Sequence, residues 1–373
     1  MVYKMKKLSN EQIVFLDLAK RGISEKEYPP LSTEILKNTD WNKVIKEACS
    51  QAVPALLFDS AELYRDYIPK ELYIRWKSLV VRYISGNMKL VSAQNKLIET
   101  LEKGGYRYWI IKGLSSAAFY KRQDLRMSGD IDFLIDTDEC ESLEKALISD
   151  GYGKEDTNHE VHINFRKYGV SHEMHFAVPG IPKNAAGDII REYIAKKFEQ
   201  YDICQTVFGA AAFRVPDRAT HALIMLLHMQ YHMVNEGLGM RHISDWASFL
   251  TATANDDFWQ KDLLPLLRKT GLLKYAHVLT RMAADYLGAA APRWADDVPR
   301  EVTEALLYDV LSAGNFGRKD EMRSKSAIMV SYDKSGRLKS LMRRLHSTVS
   351  HHYPICGKVK ALYPVFYIYH SVR

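Results

Sequence analysis

Apolar side chains recur at helical spacing through the first hundred residues. Ile13, Phe15, Leu16 and Leu18 follow the helix-start pattern Ser9-Asn10-Glu11-Gln12, and residues 41–58 and 72–101 keep the same period. Pro29-Pro30 and Pro54 interrupt the run. The pattern changes at Gly104-Gly105. Residues 106–111 form a short aromatic and β-branched stretch bounded by glycines, which predicts a strand, and 114–120 return to helical spacing. After Gly129, residues 130–136 alternate charged and apolar side chains, the period of a strand with one polar face.

A helix is predicted over 138–150, ending near Gly151. Two further alternating runs, 159–166 and 170–178, flank Lys167-Tyr168-Gly169 and predict a β-hairpin. Beyond Pro216-Asp217 the pattern is helical again to about Gly314, and no repeat of 20 to 50 residues is present. These runs predict an α+β protein: a small sheet-containing core at 104–215, with helical regions at 1–103 and 216–373.

Composition narrows the class. With 373 residues, 47% of them hydrophobic, the chain buries a substantial core as two domains or one enlarged by insertions, and global disorder is excluded. The longest apolar stretches, such as 362–369, are about half the ~20 residues of a membrane helix. The N-terminus carries charge without a following secretory apolar region, and four scattered cysteines form no metal-type pair, so a cytoplasmic protein is expected. The net charge of +7 is uneven. Residues 323–373 hold ten Lys and Arg against one acid, Asp333, so that segment carries +9 and the rest −2. A solvated basic helix at 338–345 is the simpler reading of this tail; contact with an anionic surface is the other.

The chemistry concentrates in Lys112-Gly113-Leu114-Ser115-Ser116 and in Arg126-Met127-Ser128-Gly129-Asp130-Ile131-Asp132. Strand residues two apart share a side, so Asp130 and Asp132 present two carboxylates to one point, while Ile131, Phe133 and Ile135 face a core. Two like charges held together call for a cation between them, and a hard divalent ion such as Mg²⁺ supplies it. Gly113 between a strand and a helix suits close approach of a phosphate. Ser115 or Ser116 adds a hydroxyl, and Lys112 or Arg126 a charge. Glu173, on the same side of its strand as Ser171 and His175, is the candidate third carboxylate.

Gly113 with its nearby serines, Gly129-Asp130-Ile131-Asp132 and Glu173 resemble the polymerase-β-like nucleotidyltransferase superfamily. Lys112-Gly113, Tyr120, Arg126, Asp130-Ile131-Asp132-Phe133-Leu134-Ile135 and Glu173-Met174-His175 are similar, more narrowly, to a bacterial group of uncharacterised nucleotidyltransferases. The resemblance extends to His228, His232 and Asp245 and covers about 70–300. It implies a small mixed sheet flanked by helices, an NTP such as ATP as substrate, and Mg²⁺ or Mn²⁺ held by Asp130, Asp132 and Glu173. The phosphates would be met by Lys112, Gly113, Ser115, Ser116 and Arg126. It also implies a two-metal, in-line attack of an acceptor hydroxyl, on a small molecule, protein or RNA, at the α-phosphorus with pyrophosphate leaving, one metal lowering the pKa of the hydroxyl and the other neutralising charge on the triphosphate. Most of the superfamily has Asp at the third carboxylate and Ser or Gly directly after the glycine, where this chain has Glu173 and Leu114.

Two other functions compete. A nucleotide-sensing module would keep the pocket without turnover. A His-based metal phosphohydrolase would draw on His221, His228 and His232, whose seven- and four-residue spacings align them on one helix face, and on the following Arg241-His242-Ile243-Ser244-Asp245. Helix packing with polar residues lining a cleft beneath the strands is the preferred account of those histidines.

Overall fold

The structure, a computed structural model, describes residues 7–155, 161–200, 203–235, 237–290 and 292–315. All fall within one unit, Met1–Arg323, while a second, Ser324–Arg373, lies outside the described residues together with the expectation of a basic helix and anionic contact there.

Ser9 starts α1 (Asn10–Ile23) through a reciprocal cap: its hydroxyl accepts from the Gln12 amide, and the Gln12 side chain accepts from the Ser9 N–H. After α2 (Thr33–Lys37), the helical spacing over 41–58, interrupted at Pro54, forms two helices, α3 (Trp41–Ser50) and α4 (Pro54–Ala61). Proline disfavours helical backbone in the residue before it, and the chain breaks across Gln51-Ala52-Val53, with Ala52 at φ +56°. The long α5 (Lys70–Lys103) buries Trp76, Val80, Leu90, Leu97 and Leu101 along one face; Asn87 and Gln94 are buried polar interruptions.

The chain then builds β1 (Tyr108–Ile110), a single turn α6 (Leu114–Ala117), β2 (Asp130–Ile135), α7 (Cys140–Ser149), β3 (Gly153–Lys154), β4 (His162–Lys167) and β5 (Val170–His175). The sheet order is β1-β2-β5-β4-β3, with β2 and β5 parallel and the other pairs antiparallel. The fold is α+β, a small mixed sheet among helices. Helix 114–120 is shorter than expected, and the last strand stops at His175 rather than 178. The hairpin turns on two residues, Tyr168 and Gly169, both at positive φ, as a tight right-twisted hairpin requires. The sequence pattern singled out neither α8 (Ala185–Gln200) nor the antiparallel pair β6 (Ile203–Gln205) and β7 (Phe213–Val215); strands of three residues are too short to show an alternation.

One sheet face carries Ile131, Phe133, Ile135, Phe165 and Met174 into a core with Leu97 and Leu101 of α5 and Leu143 and Leu147 of α7. Each such fully buried side chain stabilises the fold by roughly 1.5–3 kcal/mol. The other face fronts a cavity walled by α9 (Arg218–Asn235) and α10 (Met240–Thr253), behind which α11 (Leu264–Thr270), α12 (Leu273–Leu287) and α13 (Arg300–Ala313) follow. Asp217 starts α9 by accepting from the Thr220 amide at 2.8 Å. Gln51 ties α10 to the N-terminal helices: its Oε1 accepts from Met240 N–H at 2.8 Å, and its Nε2 donates to Val310 O at 3.0 Å. Among the described residues no helix is long and apolar enough to cross a membrane.

Two histidines are structural and make stability pH-dependent. His172 is on the core side of β5, its ring 5.1 Å from that of Tyr152, and His221 on α9 packs against Phe119 and Phe249. Burial pushes both down to about 4. Their folded-state values lie below the unfolded one, so the stability they allow is fully present above pH 6.5 and is lost as pH falls toward 4, by roughly 3 kcal/mol for each. Urea denaturation at pH 7 and pH 5 is expected to show a lower midpoint at pH 5, and His221→Phe is expected to remove only its own share of that difference, since the other buried histidines contribute as well.

Candidate active site

Strand register assembles the acidic face. Asp132 on β2 lies directly opposite Glu173 on the parallel neighbour β5, and Asp130 opposite Ser171. Asp130, Asp132 and Glu173 all line one cavity of about 340 Å³, together with His175 and His162, the latter the register partner of His175 on β4. His175 Nε2 sits 2.9 Å from Asp132 Oδ1 and 3.3 Å from Glu173 Oε2, and His162 Nδ1 is 3.8 Å from Glu173 Oε2.

Lys112 reaches the same point because the backbone pairing continues past β1: Ile111 N–H donates to Asp132 O at 3.1 Å, bringing the next residue beside β2. Its Nζ lies 2.5 Å from Asp132 Oδ1. Gly113 then turns at φ +62°, ψ −114°, backbone that side-chain-bearing residues avoid, with the Asp130 carbonyl close by. The following α6 is only four residues long, so its dipole is weak. The Ser115 hydroxyl donates back to Lys112 O at 3.1 Å and does not line the cavity; Ser116 does.

The charges are unevenly satisfied. Burial alone would raise Asp132, but Lys112 and His175 outweigh it and hold its carboxyl far below the ordinary range. Burial raises Asp130, repulsion from Asp132 adds to it, and Lys112, Arg241 and Arg126 only partly oppose them. Glu173 is likewise raised by burial against the pull of His175, with Asp132 and Asp130 repelling it. Burial lowers Lys112, but Asp132, Glu173 and Asp130 outweigh it and hold its ammonium above its ordinary value. Two of three clustered carboxyls thus sit above their ordinary range beside one lysine. That excess of negative charge, on oxygen and imidazole donors, fits a bound dication.

Arg126 arrives by a different route. Asn87 of α5 donates from Nδ2 to the carbonyls of Asp124 and Arg126, each at 2.9 Å, and accepts from Ser128 N–H at 3.2 Å, pinning the loop before β2. Arg126 grips Asp245 of α10 bidentately, Nε to Oδ1 at 3.1 Å and Nη2 to Oδ2 at 2.8 Å, and Tyr120 donates its hydroxyl to Asp245 Oδ1 at 2.7 Å. Burial would raise Asp245, but the Arg126 charge outweighs it and holds the carboxyl down. This cluster clamps the sheet to the helical wall.

That wall carries His228 and His232, four residues apart on α9 with Nε2 atoms 3.1 Å from each other, and His242 of α10; one ring nitrogen of each lies within 4.8 Å of the others. Burial, reinforced by Lys112 for His228 and by Arg241 for His242, pushes both well below the ordinary histidine value, so these two rings are neutral. His221, expected on the same face, is not part of the cavity lining.

The structure therefore gathers Lys112, Gly113, Ser116, Arg126, Asp130, Asp132 and Glu173 around one cavity and leaves the Ser115 side chain outside it. Sequence reasoning did not single out His162 or Asn87, and it met Arg241 only within the 241–245 stretch considered for a histidine-based metal centre. His162 was within reach, since a two-residue turn pairing 167 with 170 also pairs 162 with 175. Arg241 stands four residues before Asp245, one helical turn away on α10, and Asn87 is a polar residue at an apolar helix position.

A family model described as an uncharacterised nucleotidyltransferase matches residues 37–288. No curated protein and no solved structure matches the chain.

Proposed function

The chain belongs to that uncharacterised nucleotidyltransferase family, the match spanning well over half of its 373 residues, and from this premise we propose that it transfers the NMP group of an NTP to an acceptor hydroxyl at the carboxylate face. The observation that carries the proposal is the cross-strand placement of Asp132 opposite Glu173, with Asp130 lining the same buried cavity. Asp130, Asp132 and Glu173 would hold a divalent cation, Mg²⁺ or Mn²⁺, which when bound offsets charge on the triphosphate and acidifies a hydroxyl.

The remaining roles fall to the chain's own groups. Lys112 neutralises phosphate charge next to the carboxylates, Gly113 lets a phosphate oxygen approach the backbone, and the Ser116 hydroxyl donates into the cavity. Arg126, fixed by Asp245, adds a positive field without leaving its place. His228, His232 and His242, with two of the three rings neutral, form the wall against which the substrate is positioned.

Incubating the protein with each α-labelled NTP and a cell lysate, then separating protein, RNA and small molecules, is expected to put label in one fraction, with pyrophosphate released. Tight NTP binding with no pyrophosphate on any acceptor would instead indicate a sensing module. Phosphate-ester hydrolysis lost in His228→Ala and His232→Ala, but kept in Asp130→Ala, would indicate a phosphohydrolase.

A further inference from the structure

Resting on the proposed metal-binding role of the acidic face, we infer that the metal position at Glu173 is a mixed nitrogen–oxygen site for a first-row transition-metal dication, with His162 and His175 as ligands beside Glu173. All three side chains project from neighbouring strands β4 and β5: Glu173 and His175 are two residues apart on one face, and His162 is the cross-strand partner of His175. One donor atom from each lies within 4.8 Å of the others.

The separations match shared coordination. Two donors bound tetrahedrally to one ion at ~2.0–2.1 Å stand about 3.3 Å apart. His175 Nε2 and Glu173 Oε2 are already at 3.3 Å, and His162 Nδ1 and Glu173 Oε2 at 3.8 Å, so small side-chain rotations complete the set. Asp132 Oδ1, 2.9 Å from His175 Nε2, adjoins this group and links it to Asp130 along β2. A cation is already drawn to the spot, since the Lys112 ammonium sits on that same Asp132 oxygen.

The donor types set the metal class. Mg²⁺ takes oxygen ligands and keeps several waters, whereas imidazole nitrogen is a ligand suited to first-row transition ions. A His₂-carboxylate set also leaves positions open for an oxygen of the nucleotide or acceptor, unlike a closed four-ligand structural site. The strands hold the donors rigidly, and the His162 and His175 side chains are only 9% and 1% exposed.

The test uses the full chain with Mn²⁺ alone and reads nitrogen coordination by electron spin-echo modulation. Bound Mn²⁺ is expected to show ¹⁴N coupling that is lost in His162→Gln and His175→Gln but kept in His228→Ala, with Mn²⁺ affinity falling about tenfold or more in the two glutamine variants. Circular dichroism establishes that each variant is folded; a variant that is not is replaced by the corresponding Asn substitution. Absence of Mn²⁺ binding, binding without ¹⁴N coupling, or coupling lost only in His228→Ala would overturn the assignment. Nucleotidyl transfer is scored separately. Nitrogen-coupled Mn²⁺ in a protein that transfers no NMP leaves the metal assignment standing and refutes the transfer reading.

Discussion

Asp130→Asn and Asp132→Asn are expected to abolish NMP transfer alike, yet only Asp132→Asn is expected to destabilise the protein. Both remove a carboxylate from the metal-binding face, and the several kcal/mol of charge stabilisation such a site supplies corresponds, at ~1.36 kcal/mol per tenfold, to a loss on the order of 10³-fold or more. Their structural settings differ. The Asp132 charge is favoured by Lys112 at 2.5 Å and His175 at 2.9 Å. Neutralising it takes from the buried Lys112 ammonium its nearest carboxylate, at a cost of about 3 kcal/mol. The Asp130 carboxyl is disfavoured by burial and by Asp132, so its amide is expected to leave the metal-free protein unchanged or more stable. Urea denaturation alongside a transfer assay checks both halves. Equal destabilisation by the two substitutions would show that the charge asymmetry of the site is misread.

The second large effect belongs to the clamp between sheet and helices. Arg126→Ala is expected to destabilise the protein by about 3–5 kcal/mol, because Asp245 is left buried without its bidentate partner. Arg126→Lys recovers little, since an ammonium cannot reproduce the planar fork. The double substitution Arg126→Met with Asp245→Leu, which removes both charges, is expected to recover most of the stability while transfer stays low, because the positive field is gone. Thermal or chemical unfolding of the three variants measures this. A double variant as unstable as Arg126→Ala would place the cost in packing rather than in an unpaired charge.

How legible these features were follows from how local their causes are. The Ser9 cap, the alternation of β2 and the hairpin at Tyr168-Gly169 each depend on a few adjacent residues, and the pattern of the chain shows them directly. The break between α3 and α4 falls where Pro54 interrupts the helical pattern. By contrast, the two-stranded β6–β7 sheet is stabilised by distant packing of Phe213 and Val215 onto the core, which no short window contains. The candidate site divides in the same way. Asp130 and Asp132 share a face by strand period alone, and the placement of Glu173 required knowing that β2 and β5 are parallel neighbours. That Arg126 is held by Asp245, 119 residues away, and its loop by Asn87 are facts of tertiary structure. Helical spacing aligned His221 with His228 and His232, but the aromatic rings Phe119 and Phe249 enclose His221 apart from the cavity.

The most direct measurement is a crystal structure of the protein with Mn²⁺ and a non-hydrolysable NTP, using anomalous scattering to locate the metal. The expected result is an anomalous peak within bonding distance of Asp130, Asp132 and Glu173, with the triphosphate beside Lys112 and Gly113. Metal found only among His228, His232 and His242, or a nucleotide bound away from the carboxylates, would contradict the account.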